Sequence, residues 1–238
     1  GQVPASKGNG WLNNKETILA AARIVGVDPG LLAGMAAQES AFQPTIRSKN
    51  SSATGLFQFI KSTWEEQMSK YASKFGIPAG TPPTNAAANA LLGAQFIKDN
   101  LTELARIGKT TPGDAYLAHF LGIGGAKKFL AANQNTSAAS LNPKAAKANQ
   151  SIFYNGGRAR SVAEVRQHLT QLMYNKHKQL GVDVPIGGTG VTQGSSNQLA
   201  PGQKPDSAKT GNVVFNMGQQ AGEGVRNAIG KVHNKVTG

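Results

Sequence analysis

An all-α domain followed by a tail of different texture is what this sequence predicts, and three observations carry it. Apolar residues recur at spacings of three and four through residues 15–180, and no convincing strand-like alternation occurs there. After residue 180 the apolar content thins and Gly takes 12 of the last 58 positions, which reads as a tether rather than a packed core. The organisation expected is a polar leader over 1–14, a helical domain over 15–180 and a flexible tail over 181–238. The tail has room for a short helix near 220–235 around Val225, Ile229 and Val232. A small irregular or hairpin insertion near residues 45–60 is the expected exception to helix, making the domain all-α or mainly α.

Each element has a local cause. In the leader, Trp11 and Leu12 are the only large apolar groups and are suited to pin it to the first helix. Lys15 to Val25 carries the stripe Ile18, Leu19, Ala22 and Val25, with Gly26 as terminator. Asp28 caps the next helix, which has Pro29 in its first turn, where a missing N–H costs nothing. Leu32, Met35, Ala36 and Glu39 share one of its faces. Residues 43–54 are loop-like. Ser62 and Thr63, with Glu65 and Glu66 three places on, make two overlapping capping boxes and predict a helix over Trp64 to Phe75. Gly76 to Thr84 is a turn region. Asn85 to Ile107 is a long alanine-rich helix in which Gly93 permits close helix approach. Thr111, Pro112 and Asp114 start another, interrupted by Gly122, Gly124 and Gly125. Asn142 and Pro143 start a short helix carrying Ile152 and Phe153, and Asn155 to Arg160 is a turn. Ser161 and Glu164 box the start of a last helix, which runs to about Leu180.

Composition narrows the function. No cysteine occurs, so a disulfide framework, a thiol nucleophile and a cysteine metal site are excluded. The first residues lack the apolar core of a signal peptide, and no run approaches a membrane span. The formal charge of +13 favours an extended anionic partner such as nucleic acid, a phosphate-bearing membrane or a cell-wall polymer. Residues 1–180 hold 20 Lys and Arg against 9 acids, so the excess belongs to the folded part. Without arginine-rich runs, zinc-finger spacing or aromatic–basic interleaving, nucleic acid is only weakly signalled.

The chemistry centres on Glu39. A carboxylate among hydrocarbon is expensive to keep ionised, and dehydration raises its pKa, which is what a proton donor needs. Such a Glu also fits a boundary residue reaching water. Between Glu39 and Glu65 there is no other acid; the loop offers Ser48, Asn50, Ser51, Ser52, Thr54 and Gln58, all neutral hydrogen-bonding groups. Glu65 and Glu66 already have a capping job. Glycosidases generally set two carboxylates across the scissile bond. Glu39 would work alone, as acid and then as base, if the substrate brought its own nucleophile. In peptidoglycan the C6 hydroxyl of N-acetylmuramic acid can attack its own anomeric carbon and close a 1,6-anhydro ring.

Glu39-Ser40, the serine-rich loop, Ala53 to Ile60 and Ser62-Thr63-Trp64 resemble the ES…S…GAxGLxQ…ST signature of the soluble lytic transglycosylase (SLT) family. Ala115 to Gly122 with Gly124-Gly125-Ala126 stands where that family has its AYNAG-like motif, in wording similar to bacteriophage-encoded members. The resemblance covers about residues 15–180 and implies a goose-type, lysozyme-like fold. It also implies Glu39 as general acid/base, Tyr116 donating to and orienting its carboxyl, and Gln58 and Phe57 along the glycan groove. Ser48 stands at the family interval for the supporting serine. One additional residue before the Gly-Leu-x-Gln block makes Ser51 and Ser52 competing choices for substrate contact. His119-Phe120 departs from the family wording; His119 fits a contact to sugar or peptide stem and equally a packed imidazole. The implied reaction is cleavage of the MurNAc-β-1,4-GlcNAc bond with anhydro ends, requiring no metal or organic cofactor.

Two rivals stand beside it. A muramidase would use water in place of the C6 hydroxyl. A basic virion structural or DNA-ejection protein would keep the fold as scaffold. The expected partners are peptidoglycan strands and, through the tail, virion proteins. The expected setting is a phage particle or an infected cell, with action at the cell wall for genome delivery or host lysis.

Overall fold

In the computed structural model of this chain the described residues are 9–179. The tail, the short helix expected near 220–235 and the first part of the leader lie outside them. Among the described residues the architecture is mainly α with one two-stranded hairpin, and no helix is long and apolar enough to cross a membrane.

Helix α1 (Asn9–Val25) begins six residues before Lys15, so the second half of the expected leader is helical. The reason is tertiary. Trp11 is 2% exposed and packs on Phe42 with ring centroids 5.1 Å apart, while Asn14 Nδ2 donates to the Phe42 carbonyl at 3.0 Å. Leu12 points outward instead. Helix α2 (Pro29–Ser40) is capped as expected, Asp28 Oδ1 accepting from the Leu31 amide at 2.8 Å. It has no solvent face along most of its length, with every residue from Gly30 to Ala37 buried. A helix apolar all round is an interior helix, and α2 is the rod on which the domain is built.

Helix α3 (Lys61–Phe75) starts earlier than predicted, and neither capping box forms. Its N-cap is Ile60, with no side-chain cap of its own, and the Lys61 amide donates instead to Ser52 Oγ at 3.0 Å. Glu65 and Glu66 face solvent and pair with Lys61 and Lys70. Helix α4 (Ala86–Ala105) is capped by Asn85, and α5 (Pro112–Ala131) by a complete Thr111–Asp114 box. At Gly122 (φ 72°, ψ 157°) α5 kinks, in a conformation that only glycine adopts cheaply. Gly93 is approached by the Phe57 ring rather than by a helix; a Cβ there would stand 2.6 Å from it.

The single helix expected after Pro143 is broken. A short helix α6 (Ala138–Leu141) precedes it, and α7 (Pro143–Ala148) and α8 (Gln150–Phe153) divide the expected span. Then β1 (Tyr154–Asn155) and β2 (Arg158–Ala159) pair antiparallel across Gly156-Gly157, both at positive φ. Two such residues between strands are what a tight hairpin needs. The segment at 45–60, where an irregular or hairpin insertion was expected, is irregular, with isolated bridges from Arg47 to Thr54 and Thr54 to Phe59. Helix α9 (Val162–Gln179) opens on the predicted Ser161–Glu164 box.

Packing follows from these faces: α1 lies on α4, α4 on α5, and both α2 and α5 on α9. The α5–α9 joint is locked by a fully buried Asp114, whose carboxylate receives Arg166 Nε at 2.7 Å and Nη2 at 2.9 Å. Glu39 at the end of α2 and the middle of α5 thereby come to share one cleft.

Candidate active site

Glu39 is the penultimate residue of α2, and its side chain is 17% exposed. It opens onto a cleft of about 420 Å³ whose other walls come from Gln58 to Ile60, Thr63, Phe96 and His119 to Gly122. Among the described residues, Glu39 is the one carboxylate in that lining.

The backbone around it is unusual. Ala41 (φ 49°), Phe42 (φ 61°) and Gln58 (φ 48°) are the non-glycine residues at positive φ among those described. Two of them turn the chain sharply out of α2 just after Glu39, burying Phe42, and the third sits in the cleft wall. Such conformations cost on the order of 1–3 kcal/mol each and persist where surroundings over-determine them. Asn89, fully buried on α4, accepts from the Phe57 amide at 2.9 Å and donates to the Pro83 carbonyl at 2.7 Å. Gly55 (φ 88°) lies so close to Asn89 and the Pro83 carbonyl that a Cβ would stand 2.3 Å from each. Gln58 Nε2 donates to the carbonyls of Gly55 at 2.9 Å and Ile46 at 3.3 Å, which leaves its Oε1 as an acceptor toward the cleft.

Tyr116 and His119 stand one turn apart on α5. The Tyr116 hydroxyl donates to Glu39, and the Gln38 side chain bonds the same phenol. Burial foremost, then the charge and hydrogen bond of Glu39, push the phenol well above its ordinary value, so it stays a neutral donor. His119 Nε2 lies 3.9 Å from Glu39 Oε1. The imidazole stacks on Tyr116 (6.2 Å, 17°) and meets Phe96 edge-on (5.9 Å, 76°). Its Nδ1 and the Gln38 Oε1 are buried with no hydrogen-bond partner. The environment of Glu39 is thus neutral and sparsely bonded.

Of the residues singled out by sequence, the structure brings Glu39, Gln58, Tyr116 and His119 together. It does not bring Phe57. That ring is 0% exposed and lies against Gly93, so it is a core residue and touches no groove; Phe59, two positions on, takes the wall instead. Ser48, Ser51 and Ser52 stay on the far side of Phe59, in a neighbouring pocket that excludes Glu39. Gln38, Phe96, Phe120 and Leu121 were missed. Gln38 and Phe120 adjoin singled-out residues, whereas nothing in the sequence marks Phe96 as a wall. Among the described residues no cluster of His, Asp and Glu is suited to a metal.

The family model for the transglycosylase SLT domain matches residues 16–167. A solved structure of an inactive mutant of the lytic transglycosylase Slt from Pseudomonas aeruginosa matches at a TM-score of 0.48 and 19% sequence identity. The match covers 76% of this chain and 26% of that one, so the chain spans about a quarter of that protein's length.

Proposed function

The chain belongs to the transglycosylase SLT family, and from that premise we propose that it cleaves peptidoglycan as a lytic transglycosylase, with Glu39 as acid and then base. The observation that carries the reading is the solitary carboxylate. A glycosidase of either stereochemistry ordinarily needs a second one to activate water or attack the sugar. Among the described residues the cleft lining has none.

The Glu39 carboxyl protonates the glycosidic oxygen between MurNAc and GlcNAc as an oxocarbenium-like state develops at C1. The C–O bond breaks with its electron pair going to the leaving oxygen. The Glu39 carboxylate then takes the proton of the MurNAc C6 hydroxyl as O6 closes on C1, giving a 1,6-anhydro end and regenerating the acid. Tyr116 holds the carboxyl from a neutral donor, so no cation competes for its proton. Gln58 Oε1 offers an acceptor to a sugar hydroxyl or amide.

A second reading, hydrolysis by water, has one observation in its favour: the His119 imidazole, lodged in the cleft beside Glu39, is a group able to take a proton from water. Mass spectrometry of digested peptidoglycan separates the two. Anhydro-muropeptide ends are expected; reducing MurNAc ends would replace the transglycosylase with a muramidase.

The biological setting we propose is a phage particle or infected cell, supported by the likeness of residues 115–130 to phage-encoded wording. The domain over 15–180 acts on the wall, while the tail over 181–238 engages virion proteins. Recovery of the chain from purified particles is the expected result, and its absence there would point to late lysis.

A further inference from the structure

The His119 ring is held by two others. Tyr116 stacks on it with centroids 6.2 Å apart, Phe96 meets it edge-on at 5.9 Å, and 9% of the side chain is exposed. Its two nitrogens meet opposite surroundings. Nδ1 is buried with no hydrogen-bond partner among the described residues, whereas Nε2 lies 3.9 Å from Glu39 Oε1, on the cleft side. A neutral imidazole carries one hydrogen and one lone pair. Either choice leaves Nδ1 unpaired. A hydrogen on Nε2 sets a donor opposite the carboxyl oxygen, where the other tautomer would set a second lone pair, so the ring carries its hydrogen on Nε2. The 3.9 Å gap decides what that donor serves. It exceeds the reach of a direct hydrogen bond, about 3.2 Å, and admits one oxygen set about 2.8 Å from both atoms.

We propose that His119 is a catalytic hydrogen-bond donor, its Nε2–H bonding the same substrate oxygen that exchanges a proton with Glu39. That oxygen is the glycosidic one while the C–O bond breaks, and O6 while the anhydro ring closes. In the first step the hydrogen bond strengthens as the oxygen takes the bonding pair; the proton comes from Glu39 and His119 keeps its own. In the second it draws charge from O6 as the O6 proton passes to the Glu39 carboxylate. A donor already aimed at the atom where charge develops needs no rearrangement during the reaction, and a cleft walled by Phe59, Phe96 and Phe120 strengthens it. The assignment rests on the lyase reading above. It also bears on the hydrolytic one, since a base for water would need its lone pair at Nε2.

Two substitutions in the full chain separate this role from the others open to the ring. Each is read as kcat and KM for cleavage of soluble, uncross-linked glycan strands. His119→Phe keeps an aromatic ring and loses the donor, so kcat should fall about 10- to 100-fold with KM little changed. His119→Gln loses the ring and any base but keeps a side-chain N–H, so it should stay within about fivefold of the parent. A ring that merely packs predicts the reverse order, and a base predicts that both variants fail. Either result, or a loss confined to KM, would overturn the assignment. If the phenyl ring lowers the unfolding temperature, His119→Leu takes its place and rescue by Gln decides. A failure here is separate from a failure of the lyase reading, which shows as reducing ends or intact glycan with the unmutated chain.

Discussion

Asp114 and Glu39 are two carboxylates held by packed helices, and their surroundings differ in every respect that governs a proton. Asp114 is fully buried, receives two hydrogen bonds from Arg166, caps the Thr111 amide and knits α5 to α9. Glu39 is partly exposed, faces a phenol and an imidazole, and among the described residues has no Lys or Arg in its cleft. A carboxylate saturated by a guanidinium positions its neighbours. One left among neutral partners in a cleft keeps its oxygens for a substrate. The two stand at opposite ends of the same device, since the Asp114 lock holds the helix that presents Tyr116 and His119 to Glu39.

The largest effect that sharpens this contrast is Glu39→Gln. It keeps shape and loses the exchangeable proton, so glycan cleavage should fall by at least about 10³-fold with the unfolding temperature nearly unchanged. Turnover within tenfold of the parent would move the acid elsewhere. Asp114→Ala should do the opposite. It strips the cap and leaves Arg166 without its carboxylate, costing about 3 kcal/mol in denaturant titration, while protein that stays folded keeps cleaving. Loss of activity without loss of stability would break the comparison.

Tyr116→Phe comes next, removing one neutral hydrogen bond from Glu39 and lowering kcat by up to about tenfold with little change in KM. A change confined to KM would make Tyr116 a binding residue instead. The smallest effect uses Tyr71, a phenol donating to Asp99 at a wetter site. The hydrogen bond it donates to Asp99 foremost, then burial, pushes it up to about 12 from its ordinary 10.0. A raised folded value stabilises below the unfolded one and is lost as pH rises. Stability should therefore fall between pH 10 and about pH 12, and Tyr71→Phe should flatten that part of the profile. An unchanged slope would remove the solvent-side counterpart of the Tyr116–Glu39 pair.

What the sequence determined by itself is local. The Asp28 and Thr111 caps, the Ser161 box, the kink at Gly122 and the ends of α4 follow from residues within one turn of each other, where dihedral preference and side-chain reach suffice. The SLT resemblance pointed to Glu39, Gln58 and Tyr116, an arrangement that periodicity cannot encode; the fold sets Glu39 and Gln58 in one cleft lining and Tyr116 against Glu39. Tertiary structure decided the rest. It extended α1 to Asn9 because Trp11 has Phe42 to cover, and it drew the α3 cap from Ser52 because the 45–60 loop folds back on Ile60. It also turned Phe57 into the core and left Phe59 at the wall, since Asn89 fixes the loop by its backbone. Those outcomes depend on groups 9 to 32 residues apart meeting in space. A linear pattern carries no distance of that kind, and only burial and hydrogen bonding across helices select it.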